Sequence, residues 1–169
     1  VVIAAGVDSG SLLTPTGLSA PVIAERGYHI QAPPSEAWPA GIPPVVFEDR
    51  SLIVTRFTSG LRASGFVEFA RADRPPDVSR WRALEGHAAE LGLPFAGGVS
   101  RWMGSRPTLP DYLPAIGRHP CVDNLYYAFG HQHLGLTLAA VTADLVADLV
   151  TGRSPAVDPR PFDLARFAS

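Results

Sequence analysis

The chain has 169 residues, 46% hydrophobic and 18% charged, with a formal net charge of −2. That suits one globular domain, or a piece of a larger one, with a real core, and the charge balance argues against nucleic acid as the main partner. Every basic residue apart from the histidines is arginine, and the single cysteine, Cys121, excludes an internal disulfide framework and a multi-cysteine metal site.

Val1 to Ala5 is a short apolar run stopped by Gly6, read as a buried strand of a parallel sheet whose neighbours lie outside this sequence. The run is too short for a signal peptide, and no initiator methionine precedes it. A fragment or a processed product is therefore expected. Asp8 to Ser11 is turn and cap chemistry, with a helical turn to about Leu18. Val22 to Ile30 reads as a strand with a bulge or close approach at Gly27. The proline-dense stretch 32–44 is loop. Strands 44–47 and 51–57, joined by Glu48-Asp49-Arg50, form a hairpin, and 60–69 is a further strand. Arg62 and Glu68 are expected to pair across this antiparallel sheet.

Asp77 or Ser79 caps a helix to about Leu91, with Trp81, Leu84, Ala88 and Leu91 on its core face. Gly97 to Met103 reads as a strand entering a turn, Gly104-Ser105-Arg106-Pro107. Strand 125–129 ends at Gly130-His131-Gln132-His133. Gly135 then opens an apolar helix that closes at Gly152, with Leu138, Val141, Leu145 and Leu149 as its stripe. A pinned loop completes the chain. The helix-forming run carries Asp144 and Asp148 and is short for a membrane span.

A glycine turn feeding a helix N-terminus can hold an anion or an electron-rich ring, because the first N–H groups lack internal partners. The same glycines can serve only to turn the chain. His131 and His133 at H-x-H spacing admit a metal, but no third ligand is apparent. Tyr28 and Tyr112 could line a pocket or simply pack.

Taken together, VVIAAGVDSGSLL, ERGYHIQAP, LRASGFVEFA, RWMGSRPTLPDYLPAIGR and NLYYAFGHQHLGLTLAAVTADLVADLVTG resemble, in order, the C-terminal half of the flavin-dependent D-amino acid oxidase and dehydrogenase superfamily. That group includes glycine oxidase, sarcosine oxidase and bacterial D-amino acid and D-hydroxyproline dehydrogenases. The resemblance implies an α/β fold with an α+β substrate region. Segments 1–20 and 101–169 would belong to an FAD-binding domain, and 21–100 to a substrate domain with an antiparallel sheet and one helix.

It further implies noncovalent FAD, contacted by Ala5, Gly6, Gly104, Gly130, His131, Gly135, Leu136 and Thr137. Arg106 of G-x-R-P would grip the substrate carboxylate, with Tyr28 and His133 beside the substrate. Some relatives have an arginine in place of His133, which leaves its role open. No catalytic base is implied. The reaction would oxidise the C–N bond of a small D- or imino amino acid to an imine, with a quinone or oxygen as acceptor, in the cytoplasm or peripherally at the inner membrane. The dinucleotide fingerprint G-x-G-x-x-G does not occur here. It is expected in an N-terminal half of the same enzyme, and this chain alone is expected to be inactive. The alternative is a non-catalytic domain that binds a small carboxylate or packs against a partner chain.

Overall fold

A computed structural model describes residues 1–95 and 98–168. The chain divides into two compact units. Unit 1 comprises residues 1–25, 69–72 and 105–169, and unit 2 comprises residues 26–68 and 73–104. The borders between the units thus fall at 25/26, 68/69, 72/73 and 104/105.

In unit 2, β3 (Val45–Phe47), β4 (Leu52–Phe57) and β5 (Gly60–Ala70) form consecutive antiparallel pairs in a five-stranded sheet of order β3-β4-β5-β2-β6. Here β2 is Ile23–Ala32 and β6 is Ser100–Thr108. The period-2 alternation explains the sheet's inner face: Leu52, Val54, Leu61 and Ala63 are buried together, whereas Ile53 is exposed. Helix α2 (Val78–Glu90) adds Leu84 and Ala88 to that core. Asp77 is its cap, accepting a 2.9 Å hydrogen bond from the Ser79 N–H. Arg62 donates to Gln31 rather than pairing with Glu68.

Strand β6 is the main departure from expectation. It runs unbroken through Gly104-Ser105-Arg106-Pro107, which is therefore not a turn. An edge strand tolerates proline, because its outward side needs no N–H donor, and β6 is the edge. Local glycine and proline signals thus yield to sheet position. Gly97, the expected start of this strand, lies outside the described residues.

Unit 1 holds a three-stranded sheet of order β1-β8-β7, formed by β1 (Val2–Ile3), β7 (Ala115–Arg118) and β8 (Tyr126–Phe129). β1 is not the buried strand expected: Val1 and Val2 are exposed, and its neighbour is in this chain. Val2 and Ile3 pair in parallel with Tyr126 and Tyr127. Helix α1 (Ser9–Leu13) packs on β1, and α3 (Ala139–Thr151) packs on β7 and β8. The core joins Leu13, Leu109, Ala115, Tyr127, Phe129 and Leu164. The tail forms two 3-10 turns, and it is fastened by the Tyr127 hydroxyl, which accepts from the Leu164 N–H at 3.0 Å. Burial pushes the Tyr127 phenol up to about 12. No helix among the described residues is long and apolar enough to cross a membrane.

Candidate functional site

The site in unit 1 is built around Glu25, a carboxylate only 3% exposed. A buried carboxylate needs compensating donors. Glu25 Oε2 accepts from the Thr108 hydroxyl at 3.0 Å. Its Oε1 lies 2.9 Å from His133 Nε2 and 3.7 Å from Arg106 Nη1. The first is a close polar contact, and the second is too long for a hydrogen bond. Arg106 Nη1 is buried and makes no hydrogen bond, although the side chain as a whole is 36% exposed. A guanidinium held near a carboxylate with a donor still unused is poised for an incoming anion. The His133 side chain is 54% exposed.

Local geometry explains how these residues meet. Thr108 and Arg106 are alternate residues of β6 and so project to the same side of the strand. His133 comes from the turn after β8, where Gln132 adopts φ +52° and donates its N–H to the Pro107 carbonyl at 3.3 Å. That bond ties the turn to β6 beside Arg106. A non-glycine residue with positive φ costs conformational energy, a feature that clusters at binding sites. His131 faces elsewhere, with Nε2 at 3.0 Å from the Thr142 hydroxyl on α3, and burial pushes its pKa down. The two histidines of the H-x-H pair therefore serve different partners.

β1 and β8 are parallel, so the Ala5-Gly6 and Gly130-His131 turns leave the same edge of the sheet. The crevice outside the C-terminal ends of parallel strands is where open α/β sheets bind ligands. Gly6 has φ +59° with open space where a Cβ would be. At Gly130, φ is +86° and a Cβ would meet Leu109 at 2.7 Å. Gly104, in unit 2, has the Trp102 indole where its Cβ would lie. Glycine is thus required at 130 and 104 by the chain's own packing. The segment Gly135 to Thr137 is exposed, and Leu136 is 93% exposed. The α3 N-terminus that follows has no side-chain cap and no acidic residue in its first turn. An open, uncapped helix start suits an electron-rich ring edge, so these residues fit a flavin.

Tyr28 lies in unit 2. It is buried in that core, edge-on to Trp81. Its hydroxyl donates to Glu68 at 2.7 Å and accepts from the Asp77 N–H at 3.0 Å. Burial, reinforced by the Glu68 hydrogen bond, pushes its pKa up. Tyr112 is exposed. It lines an apolar cavity of about 340 Å³ under α3, together with Ile116, Leu138 and Leu145.

Glu25 was missed by sequence reasoning, which read it as one more residue of an alternating strand. The available signal was a pair of adjacent charges, Glu25-Arg26, set between Ala24 and Gly27 within a strand.

With this geometry established, likeness to known proteins becomes informative. Residues 1–149 match the family described as DAO, FAD dependent oxidoreductase. The chain belongs to that family. It is 36% identical to a D-amino-acid oxidase of Bradyrhizobium diazoefficiens, across 98% of this chain and 40% of that protein. It is 35% identical to a D-amino acid dehydrogenase of Paramagnetospirillum magneticum, across 99% and 40%. The chain thus spans about two fifths of the length of these relatives. Among solved structures, glycine oxidase from Geobacillus kaustophilus superposes with a TM-score of 0.79 at 28% identity, over 98% of this chain and 45% of the other. The mixed α/β architecture is that of these flavoproteins, and FAD is the family's cofactor.

Proposed function

We propose that this chain is the substrate-side portion of an enzyme that oxidises the C–N bond of a small amino acid to an imine. Arg106 is the carboxylate anchor. The supporting observation is its buried, unbonded Nη1, 3.7 Å from Glu25, a carboxylate that already accepts from Thr108. Bound FAD supplies the two-electron acceptor for the substrate's α-hydrogen. Ala5, Gly6, Gly130, His131 and the Gly135–Thr137 segment hold it, with the open start of α3 favouring negative charge on the ring edge. Gly104 belongs to the same set through the G-x-R-P motif. The chain's own contribution is orientation: a fixed carboxylate aims the α-hydrogen, and positioning of that kind supplies much of the rate enhancement in such reactions. The names of the D-amino acid oxidase and dehydrogenase relatives support an amino acid substrate.

The test uses protein made from the full natural reading frame. Its visible spectrum is recorded before and after anaerobic addition of D-proline or D-alanine. A yellow protein that bleaches supports the reading. A colourless protein, or a yellow one that no amino acid bleaches, overturns it in favour of a non-catalytic carboxylate-binding domain. The rate of reoxidation by oxygen against a quinone then separates oxidase from dehydrogenase.

A further inference from the structure

We infer that His133, oriented by Glu25, is the group that takes the proton from the substrate's ammonium before oxidation. The inference rests on the amino acid reading above and assigns an acid–base role where positioning alone was expected.

The argument starts from what a zwitterion needs. At neutral pH a free amino acid carries a carboxylate and an ammonium. Its C–H bond can deliver two electrons to an acceptor only when the nitrogen offers a lone pair to the forming C=N bond. Something must remove a proton first. Arg106 is always cationic and cannot do so. Glu25 is enclosed, with Oε2 accepting from Thr108 and Oε1 in close contact with His133 Nε2. His133 is half in solvent, and its Nδ1 makes no hydrogen bond among the described residues.

A carboxylate 2.9 Å from Nε2 favours the tautomer with its proton on that nitrogen, which leaves the Nδ1 lone pair as an acceptor. In the step itself, the substrate N–H bond breaks, its electron pair stays on nitrogen, and the proton forms a bond to Nδ1. The resulting imidazolium is stabilised by Glu25, the carboxylate already at 2.9 Å. The charged groups facing His133 are Glu25 from β2 and Arg106 from β6, while His131 turns away to Thr142. Arg106 and His133 thus both approach one carboxylate oxygen, so the site offers a cation for a carboxylate and an imidazole for an amine. His133 is the catalytic residue, and Glu25 is a positioning residue that acts through it.

The test is anaerobic flavin reduction by D-alanine in the full-length enzyme, across pH 6 to 10, for the native protein and for His133→Asn and Glu25→Gln. General-base assistance is commonly worth 100-fold or more. His133→Asn should therefore be about 100-fold slower near pH 7. It should recover about tenfold per pH unit and converge on the native rate where the free substrate is already neutral. Glu25→Gln keeps the Thr108 contact and should lose about tenfold near pH 7. A second readout needs no turnover: propionate, a carboxylate without an amine, should perturb the flavin spectrum with unchanged affinity in His133→Asn and should fail to bind in Arg106→Ala. A parallel pH profile in His133→Asn, offset by a constant factor, sinks this inference alone. A native enzyme that no amino acid reduces sinks the functional reading along with it.

Discussion

Glu25 and Arg26 are neighbours on β2, yet they anchor two polar clusters of opposite character. Arg26, in unit 2, is fully buried, with Nε 3.7 Å from Glu68 and 3.4 Å from the Met103 sulfur. Glu68 is itself buried and also takes the Tyr28 hydrogen bond. Glu25, in unit 1, is equally enclosed, but its charged partners Arg106 and His133 reach solvent. A cluster centred on a buried Arg26–Glu68 pair, with the exposed Arg74 at its margin, holds a fold together. A cluster with a buried centre and open arms presents its arms to something else. Consecutive residues of a strand point to opposite faces, so a single E-R pair can serve both purposes.

The comparison makes its sharpest prediction for the closed cluster. Arg26→Leu takes the Arg26 charge from the buried Glu68 carboxylate, which keeps the Tyr28 hydroxyl and the distant, exposed Arg74. Removing one partner of a buried pair costs about 3–5 kcal/mol. Urea unfolding of the full-length enzyme should report a loss of that size, whereas Arg26→Met combined with Glu68→Gln should recover most of it. A loss below about 1 kcal/mol in Arg26→Leu would make the closed cluster dispensable, contrary to the contrast drawn here.

Arg106→Ala is the matching break in the open cluster. Hydrogen bonds to charged groups contribute about 1.5–3 kcal/mol, so kcat/KM for a D-amino acid should fall about 10- to 150-fold. Unfolding stability should stay nearly unchanged, because Arg106 is partly exposed and not hydrogen-bonded to Glu25. An unaltered kcat/KM would remove Arg106 from the carboxylate's path.

A third change probes the core that supports the open cluster. Tyr127→Phe strips the acceptor from the Leu164 N–H in a buried setting. An unsatisfied buried donor costs about 1–3 kcal/mol. The tail turns should also lose protection from hydrogen exchange before the sheets do, and uniform protection across the chain would contradict that anchoring role.

These clusters also mark what was legible beforehand. The β3–β4–β5 meander was readable because its side chains alternate and Glu48-Asp49-Arg50 supplies a turn. Helix α2 was readable because Asp77 precedes an apolar face at helical spacing. Each signal is local. β6 was misread because Gly104 and Pro107 are local turn signals, overridden by edge position in a sheet assembled from distant strands. Arg106 and His133 stand in motifs that single them out in the sequence, while Glu25 sits in no motif. Its role exists only through contacts such as that with Thr108, 83 residues away in sequence. Open arms can be conspicuous in a sequence, but an enclosed centre is defined by what folds around it.

The smallest predicted effect concerns pH and separates the two units once more. His29 in unit 2 stacks on Trp102 at 4.9 Å, and burial, with help from the Arg62 charge, pushes its pKa down from 6.5 to about 4. The folded state therefore keeps this ring neutral while the unfolded chain protonates it. Between pH 6.5 and about 4 the unfolded state binds the extra proton, so the stabilising contribution is fully present above 6.5 and is lost progressively as pH falls toward 4. His29→Gln removes this titration and should flatten the stability profile in that window while leaving stability at pH 8 little changed. The measurement is the urea midpoint at pH 8, 6 and 5. An identical pH slope in the variant and the native protein would mean that the acid sensitivity arises elsewhere. His133 then becomes the group to compare, because it belongs to the open cluster. There, substitution should alter substrate oxidation far more than unfolding, which is the distinction between the two clusters restated as an experiment.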